Sequence, residues 1–210
     1  MRSCSCTHLR TQLHEAERRA AEVERRVAEA ERLSLTDHLT GFSNTRYLAR
    51  RLAEELERAR RHGHELALML IDSDALKLVN DRLGHEAGDR YLVLLARTIL
   101  AQVRASDVVA RYGGDEFVVL APLTGRSAAL LTAERIRASA TALVIDDLAT
   151  SVSVGVAVYP CDAGAGDALL RAADRALYEA KRRGKNAVVA APASQPSKMR
   201  CGSSASTSSA

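Results

Sequence analysis

The stretch that decides the fold is Arg111-Tyr112-Gly113-Gly114-Asp115-Glu116-Phe117. It lies between two apolar runs, Val108-Val109-Ala110 and Phe117-Val118-Val119-Leu120, whose composition is typical of β-strands. A Gly-Gly pair between two strands predicts a hairpin, because glycine accepts positive φ angles without steric cost. We therefore expect Asp115 and Glu116 at the mouth of a hairpin.

Two interpretations of this acidic hairpin are open. Gly113 and Gly114 let a ligand approach the backbone closely, and Mg²⁺ takes one or two carboxylates and completes its shell with water and substrate phosphates. A phosphoryl-transfer site is then one interpretation. The other is an ordinary acidic turn, and the hairpin alone does not distinguish them.

A second source of carboxylates is the run Leu66-Ala67-Leu68-Met69-Leu70-Ile71-Asp72-Ser73-Asp74. Its continuous apolar part suits a strand that is buried on both faces, and ligands of α/β folds bind beyond the ends of such strands. Asp72 is therefore a candidate ligand. The alternative is a helix N-cap for a segment beginning near Ala75, which Asp74 could supply equally well.

Several spaced motifs occur together in this chain. In order they are Asp37-His38-Leu39-Thr40-Gly41, Asp72-Ser73-Asp74-Ala75-Leu76-Lys77, Asn80-Asp81, Gly84-His85, Gly88-Asp89, the hairpin, Ser151 to Ala157, Ala173 to Tyr178 and Ala180-Lys181. This series resembles the GGDEF family of diguanylate cyclases over residues 35–190. Leu76 departs from the family pattern, in which phenylalanine is frequent.

The resemblance implies that two GTP molecules condense to cyclic di-GMP with release of pyrophosphate, each held by one of two facing domains. Asp72 and Asp115, together with Glu116, would be the carboxylate ligands of Mg²⁺, or alternatively Mn²⁺, with help from the backbone carbonyl of Ser73. Asp115 or Glu116 would help to deprotonate the attacking hydroxyl, which is a poor nucleophile at neutral pH. Lys77 would offset charge that develops on the phosphates.

Recognition of guanine falls, by the same resemblance, to Asn80, His85 and Asp89. A carboxylate at position 89 suits the N1 and N2 donors of guanine and favours GTP over ATP. Without the resemblance, Asn80 would be assigned to turn chemistry and His85 to an ordinary surface position.

Triphosphate contacts are implied for Lys181 and Lys185, together with the backbone at Gly113 and Gly114. Most family members have arginine at the second basic position, and lysine keeps the charge but loses the bidentate fork. The alternative is that basic residues at the end of a helix followed by glycine are a capping pattern. Capping accounts for Arg182 and Arg183.

A regulatory site is implied by Arg104 and Asp107, which have the spacing of the family's RxxD product-inhibition motif ahead of Gly113. The planar fork of arginine suits guanine and phosphate. Arg135 is a candidate for a further contact there. The alternative is a local ion pair at a helix end.

A weak heptad seam precedes the catalytic domain. Its positions are Leu9, Leu13, Ala16, Ala20, Val23, Val27, Ala30 and Ser34. We expect a coiled coil over residues 9–34 that forms a homodimer, the alternative being a single amphipathic helix lying on the domain. Residues 1–8 and the Ser-, Ala- and Pro-rich residues 191–210 are predicted to be tails.

Composition limits the class of protein. The chain of 210 residues is 47% hydrophobic and 27% charged, which is ordinary for one globular domain with extensions. A net charge of +4 and an aromatic content of 3% do not indicate nucleic-acid binding. No run reaches transmembrane length and no signal peptide is evident, so we expect a cytoplasmic protein without a membrane partner.

The expected fold is α/β (α+β), with a central, mostly antiparallel sheet flanked by helices as in the palm of nucleotide cyclases and polymerases. Strands are predicted near 66–72, 107–111, 116–121, 150–159 and 187–189, and helices near 46–61, 86–103, 127–140 and 167–183. Two functions stay open: an active diguanylate cyclase, or a catalytically silent domain that binds GTP or cyclic di-GMP and signals through its coiled coil.

Overall fold

The computed structural model describes residues 14–15, 17–23, 25–26 and 35–193. The predicted tails, apart from residues 191–193, and most of the heptad seam lie outside these residues. Ala191, the first residue of the predicted tail, is buried, and its N–H donates to the carbonyl of Val156 at 2.7 Å. The described residues before position 27 are helical, and Val23, one of the two described seam residues, is exposed in the single chain. No helix in the described part of the chain is both long and apolar enough to span a bilayer.

The domain consists of five helices and seven strands within residues 45–190. The helices are α1 (Thr45–His62), α2 (Leu76–Leu83), α3 (His85–Ala101), α4 (Arg126–Thr141) and α5 (Gly166–Arg182). The strands are β1 (Leu66–Ser73), β2 (Val108–Arg111), β3 (Glu116–Pro122), β4 (Val144–Ile145), β5 (Leu148–Ala149), β6 (Val152–Tyr159) and β7 (Val188–Ala190).

A five-stranded sheet in the order β2-β3-β1-β6-β7 forms the centre of the fold. β1 pairs antiparallel with both β3 and β6, β2 pairs antiparallel with β3, and only the β6–β7 pair is parallel. This confirms the predicted central, mostly antiparallel sheet. The middle position of β1 explains its unbroken apolar run, since all of its residues are buried.

The alternation of side chains along β1 decides what each of its residues meets. Leu66, Leu68 and Leu70 pack in one core with residues of α1 and α5. Met69 and Ile71 pack in a second core with residues of α2, α3 and α4 on the opposite face. Because successive side chains of a strand point to opposite faces, Asp72 belongs to the α5 face and Ser73 to the α3 face.

All nine predicted helices and strands are present, with bounds that agree to within two residues. Two features were not predicted. α2 is eight residues long with Val79 as its one buried residue, so it has little apolar periodicity to find. The β4–β5 hairpin consists of two-residue strands joined by Asp146 and Asp147, both at positive φ.

Candidate active site

The carboxyl end of β1 and the acidic hairpin meet in register. Asp72 is the strand partner of Glu116, and the backbone N–H of Ser73 donates to the carbonyl of Asp115 at 3.2 Å. The hairpin closes on Glu116, whose carbonyl accepts from the N–H of Tyr112 at 2.8 Å. The sheet register therefore brings the predicted acidic residues Asp72, Asp115 and Glu116 together at the edge of the sheet where β1 ends.

The expected conformation of the Gly-Gly pair is wrong. Neither Gly113 nor Gly114 is among the residues at positive φ. A Cβ at Gly113 would lie 2.6 Å from the carboxylate Oε2 of Glu116, whereas a Cβ at Gly114 would meet nothing within 4 Å. Gly113 therefore leaves room for the carboxylate of Glu116, which a larger residue would displace, and Gly114 leaves open space in front of the hairpin.

An ion pair that the sequence reasoning missed supports the hairpin from outside. The guanidinium of Arg111 donates to the carbonyl of Gly114 at 2.6 Å and to both carboxylate oxygens of Asp37 at 3.2 Å. Asp37 also accepts from the N–H and hydroxyl of Thr40 at 2.8 and 2.7 Å. The motif from Asp37 to Gly41 was the available signal, but it carried no assigned role.

Asp72 is 6% exposed, and its carboxylate Oδ2 lies 2.7 Å from the ammonium Nζ of Lys181 at the end of α5. Burial raises the pKa of Asp72, the Lys181 hydrogen bond opposes that effect, and the nearby charge of Asp115 adds to it. The pKa of Glu116 is also raised, by burial and by the charge of Asp72. The single ammonium group of Lys181 does not balance the carboxylates of Asp72, Asp115 and Glu116, so this edge carries an excess of negative charge.

This excess of clustered carboxylate charge suits a divalent cation. The described residues contain no group of three or more His, Cys, Asp or Glu side chains that could hold a metal by themselves. Mg²⁺ does not need such a group, because it binds through one or two carboxylates together with waters and substrate phosphates. Asp72 and Asp115, with the carbonyl of Ser73, therefore fit a Mg²⁺ site that substrate completes.

A cleft of about 410 Å³ opens beside the hairpin. Its lining residues are Leu76, Lys77, Asn80, Asp81, His85, Asp89, Leu92, Arg111, Gly114 and Asp115. The structure thus brings the predicted guanine-recognition residues and Lys77 together with Asp115. Asn80 Oδ1 is buried against Gly88 and has no hydrogen-bond partner among the described residues.

Gly88 packs directly against the side chain of Asn80, and this contact leaves no space for a larger residue at position 88. A Cβ at position 88 would come within 1.9 Å of Asn80 Oδ1. The glycine of the predicted Gly88-Asp89 motif therefore keeps space for the amide of Asn80, while Asp89 on the next position is exposed.

Lys185 lies apart from the residues that line the cleft. It is exposed in the turn after α5, at a φ of 65°. The structure thus places Lys181 against Asp72 and leaves the target of the Lys185 ammonium open.

The predicted regulatory residues Arg104 and Asp107 lie in the turn between the end of α3 and β2. The Asp107 carboxylate accepts from the backbone N–H of Arg104 at 2.8 Å, and the Arg104 guanidinium forms no ion pair within residues 35–193. The alternative of a local ion pair is therefore wrong. The guanidinium of Arg135 reaches this region and donates to the carbonyl of Gln102 at 2.8 Å.

The hydroxyl of Ser73, and neither nearby aspartate, binds the backbone at the entrance to α2, whose N-cap position is Ala75. The Ser73 hydroxyl oxygen accepts from the N–H groups of Ala75 and Leu76 at 3.2 and 3.1 Å, and it lies 2.9 Å from the buried hydroxyl of Tyr91. The N-cap alternative for Asp72 and Asp74 is therefore wrong. Ser73 links the end of β1 to α3 through its side chain. Its contacts to Tyr91, Ala75 and Leu76 use the hydroxyl and do not involve the backbone carbonyl.

Replacing Ser73 with alanine is expected to destabilise the fold by about 1–2 kcal/mol, because it removes the acceptor of the Ala75 and Leu76 N–H groups and one partner of the Tyr91 hydroxyl. Urea unfolding followed by circular dichroism measures this loss. Tyr91→Phe is the matched control, since it removes the same hydroxyl pair but keeps the two contacts of Ser73 to the backbone, and it should cost less. A Ser73→Ala variant as stable as the wild type would contradict the role of Ser73 at the entrance to α2.

The antiparallel sheet, the acidic hairpin at the end of β1 and the cleft define a nucleotide-cyclase type of domain. The sequence model of the family described as "Diguanylate cyclase, GGDEF domain" matches residues 34–187. The chain therefore belongs to the GGDEF domain family of diguanylate cyclases.

Similar curated proteins include the diguanylate cyclase TpbB of Pseudomonas aeruginosa, 46% identical over 154 residues, which are 71% of this chain and 35% of TpbB. The response regulator PleD of Caulobacter vibrioides is 40% identical over 163 residues, which are 75% of this chain and 36% of PleD. The chain thus spans about a third of the length of these relatives.

Two solved structures show the likeness in three dimensions. The GGDEF domain of TpbB, also called YfiN, from Pseudomonas aeruginosa has a TM-score of 0.70 and 44% identity, over 73% of this chain and 98% of that one. The coiled coil and GGDEF domain of DgcB from Caulobacter crescentus, in complex with c-di-GMP, has a TM-score of 0.81 and 29% identity, over 87% and 99%.

Proposed function

We propose that this chain is an active diguanylate cyclase, which converts two GTP molecules into one cyclic di-GMP and two pyrophosphates. The observation that carries the proposal is the register of β1 and β3, which sets Asp72 beside Glu116 and Asp115 at the edge of the cleft. Silent members of the family commonly lose part of this acidic set. The present chain retains all of it.

In this proposal each protomer binds one GTP and activates its ribose 3′-hydroxyl. Asp72, Asp115 and the Ser73 carbonyl would hold Mg²⁺, which supplies charge neutralisation and a lower hydroxyl pKa when bound. Asp115 or Glu116 accepts the proton of the hydroxyl. The raised pKa of Glu116 fits this role, because a proton acceptor works best with a pKa nearer the operating pH.

Cations and amides of the cleft position the nucleotide. Lys77 lines the cleft and Lys181 lies at Asp72, so both ammonium groups can neutralise the triphosphate. Asn80, His85 and Asp89 recognise guanine, and their common position in the lining of the cleft supports this assignment. We also propose a cytoplasmic location for the domain, because its proposed substrate is GTP.

A second copy of the chain completes the reaction, since each hydroxyl must attack the α-phosphate of the nucleotide on the opposite protomer. We propose that residues 9–34 form the coiled coil that dimerises the catalytic domain at residues 35–190. The exposed Val23 supports this assignment, as does the similarity to a structure described as the coiled coil and GGDEF domain of DgcB.

The function is tested by incubating purified chain with GTP and Mg²⁺ and measuring cyclic di-GMP and pyrophosphate. We expect a product ratio of two pyrophosphates to one cyclic di-GMP, and a rate per protomer that rises with protein concentration until the dimer is saturated. Analytical ultracentrifugation at the same concentrations gives the dimer fraction. Absence of product from a demonstrated dimer would leave the silent signalling module as the better interpretation.

Product inhibition is the remaining part of the proposal. We propose that cyclic di-GMP binds Arg104 and Asp107, with Arg135 as a further contact. The exposed Arg104 has no ion-pair partner within residues 35–193, which leaves its guanidinium available to a ligand.

Replacing Arg104 with alanine is expected to raise the concentration of cyclic di-GMP needed for half-inhibition by about tenfold or more, because a hydrogen bond to a charged group is lost. Initial rates at increasing added product measure the effect. Arg97→Ala is the matched control, since it removes an exposed arginine of α3 with the same change in charge. Equal inhibition of Arg104→Ala and Arg97→Ala would rule out the site.

A further inference from the structure

Asp74 lies two residues beyond Asp72, but its carboxylate is used inside the protein. Its Oδ1 accepts from the hydroxyl of Ser153 at 2.8 Å. Its Oδ2 accepts from the hydroxyl of Ser151 at 2.8 Å and from the backbone N–H of Asn186 at 3.0 Å. Asp74 therefore joins three parts of the chain: the end of β1, the start of β6 and the turn that follows α5.

The turn after α5 has an unusual backbone. Gly184, Lys185 and Asn186 all have positive φ angles, of 107°, 65° and 46°. Asparagine is among the few residues that adopt this region readily, whereas lysine is not. A backbone of this kind persists only where contacts with the surrounding structure hold the turn in place.

Asn186 supplies those contacts from two directions. Its N–H binds Asp74, and its side-chain Oδ1 accepts from the guanidinium of Arg137 at 2.9 Å and from the hydroxyl of Thr141 at 3.2 Å. The next carbonyl, of Ala187, accepts from the N–H of Val154 at 2.9 Å, where β7 joins the sheet. Position 186 is thus held by β1, α4 and β6, while the side chain of Lys185 is exposed.

The other end of the same segment is also joined to β1. The ammonium of Lys181 lies 2.7 Å from Asp72, so residues 181–186 contact positions 72 and 74 at their two ends. Lys185 lies between these two contacts. Its backbone is therefore fixed relative to the carboxylates that would hold Mg²⁺, although its own side chain forms no hydrogen bond within residues 35–193.

We propose that Asp74 and Asn186 are positioning residues for nucleotide binding, which act by fixing the turn that presents Lys185 to the phosphates. The inference rests on the proposed function, because it requires a triphosphate at the end of β1 with Lys185 as one of its phosphate contacts. It explains why an acid that is not a metal ligand follows Asp72 so closely. It also accounts for the left-handed backbone conformation of Lys185, next to Asn186 with its three hydrogen bonds.

The test is Asp74→Asn, which keeps the size of the side chain but replaces one acceptor oxygen with a donor. We expect the KM for GTP to rise about fivefold to tenfold while kcat changes by less than about twofold, because the contact of Lys185 is made in both the bound and the transition state. An unchanged KM would overturn the inference.

Ser153→Ala is the matched control. It removes a hydrogen bond from the same carboxylate, on the side of β6 and away from the turn. We expect a loss of urea midpoint similar to that of Asp74→Asn, with the KM for GTP unchanged. A KM that rises equally in both variants would mean that Asp74 acts only through general stability.

A double variant separates positioning from a merely structural effect. If Asp74 acts through Lys185, the KM of Asp74→Asn combined with Lys185→Met equals that of Lys185→Met alone to within about twofold. Increases in KM that multiply would contradict the inference.

Binding of the non-reacting analogue guanosine 5′-(α,β-methylene)triphosphate is measured by calorimetry on the same proteins. It distinguishes a failure of the proposed function from a failure of the positioning role. A wild type that binds the analogue but forms no cyclic di-GMP would refute the proposed function, and the dissociation constants would then replace KM in the comparison. A wild type that does not bind the analogue would overturn the positioning role as well.

Discussion

Replacing Asp115 with alanine is expected to abolish formation of cyclic di-GMP, with a loss of about a thousandfold or more in kcat, because a metal ligand and a proton acceptor are removed together. The side chain of Asp115 forms no hydrogen bond within residues 35–193, and the hairpin contact to Ser73 uses only its backbone carbonyl. The variant should therefore fold normally. The measurement is the rate of product formation, alongside the urea midpoint.

Asp167→Ala provides the control for this variant. Asp167 is an exposed acid in the first turn of α5, at the opposite end of the helix from Lys181. Its replacement makes the same change in charge and should leave turnover within about twofold of the wild type, since exposed substitutions away from a site have small effects. Turnover by Asp115→Ala at the level of this control would refute the metal assignment.

Replacing Gly155 with alanine is expected to destabilise the domain by about 3 kcal/mol or more, at the upper end of what overpacking usually costs. Gly155 lies in β6 on the face that packs against α5. A Cβ there would lie 2.1 Å from the carbonyl oxygen of Ala173 and 2.4 Å from the backbone nitrogen of Leu177. Backbone atoms cannot rotate away as a side chain can, so the whole helix would have to move.

The midpoint and slope of urea unfolding measure the effect of Gly155→Ala, because a fall in midpoint at constant slope reports stability alone. Gly164→Ala is the matched control. A Cβ at Gly164 would meet nothing within 4 Å, so this variant should stay within about 0.5 kcal/mol of the wild type. Equal stability of the two variants would mean that α5 packs less closely on β6 than described.

The long elements were predictable because each carries a pattern that does not depend on its neighbours. β1 is a central strand that is apolar from Leu66 to Ile71, and α5 repeats its apolar residues with helical spacing. α2 was missed because so short a helix, with Val79 alone buried, has no such pattern. The N–H of Leu76, its first residue, donates to the hydroxyl of Ser73. In the sequence, Asp72, Ser73 and Asp74 are equally plausible acceptors for this bond.

The site was predictable where a role belongs to a motif and less so where it depends on contacts across the fold. Asp72, Asp115 and Asn80 were assigned from motifs, and the structure brings all three to one edge. The pairing of Arg111 with Asp37 joins residues 74 positions apart, and no local pattern announces it. The role of Gly113 was misjudged for the same reason, since it depends on where the side chain of Glu116 turns.

The pairing of Asp72 with Glu116 also determines where the chain can change length. Because side chains alternate along a strand, one residue inserted into β1 or β3 would turn every later side chain to the opposite face. An insertion in β1 ahead of Asp72 would then point the Asp72 carboxylate toward α3 and away from Lys181. The tip of the β4–β5 hairpin, at Asp146 and Asp147, carries no such pairing with the acidic edge. Natural length variation among related domains should therefore concentrate at that tip and spare the two central strands.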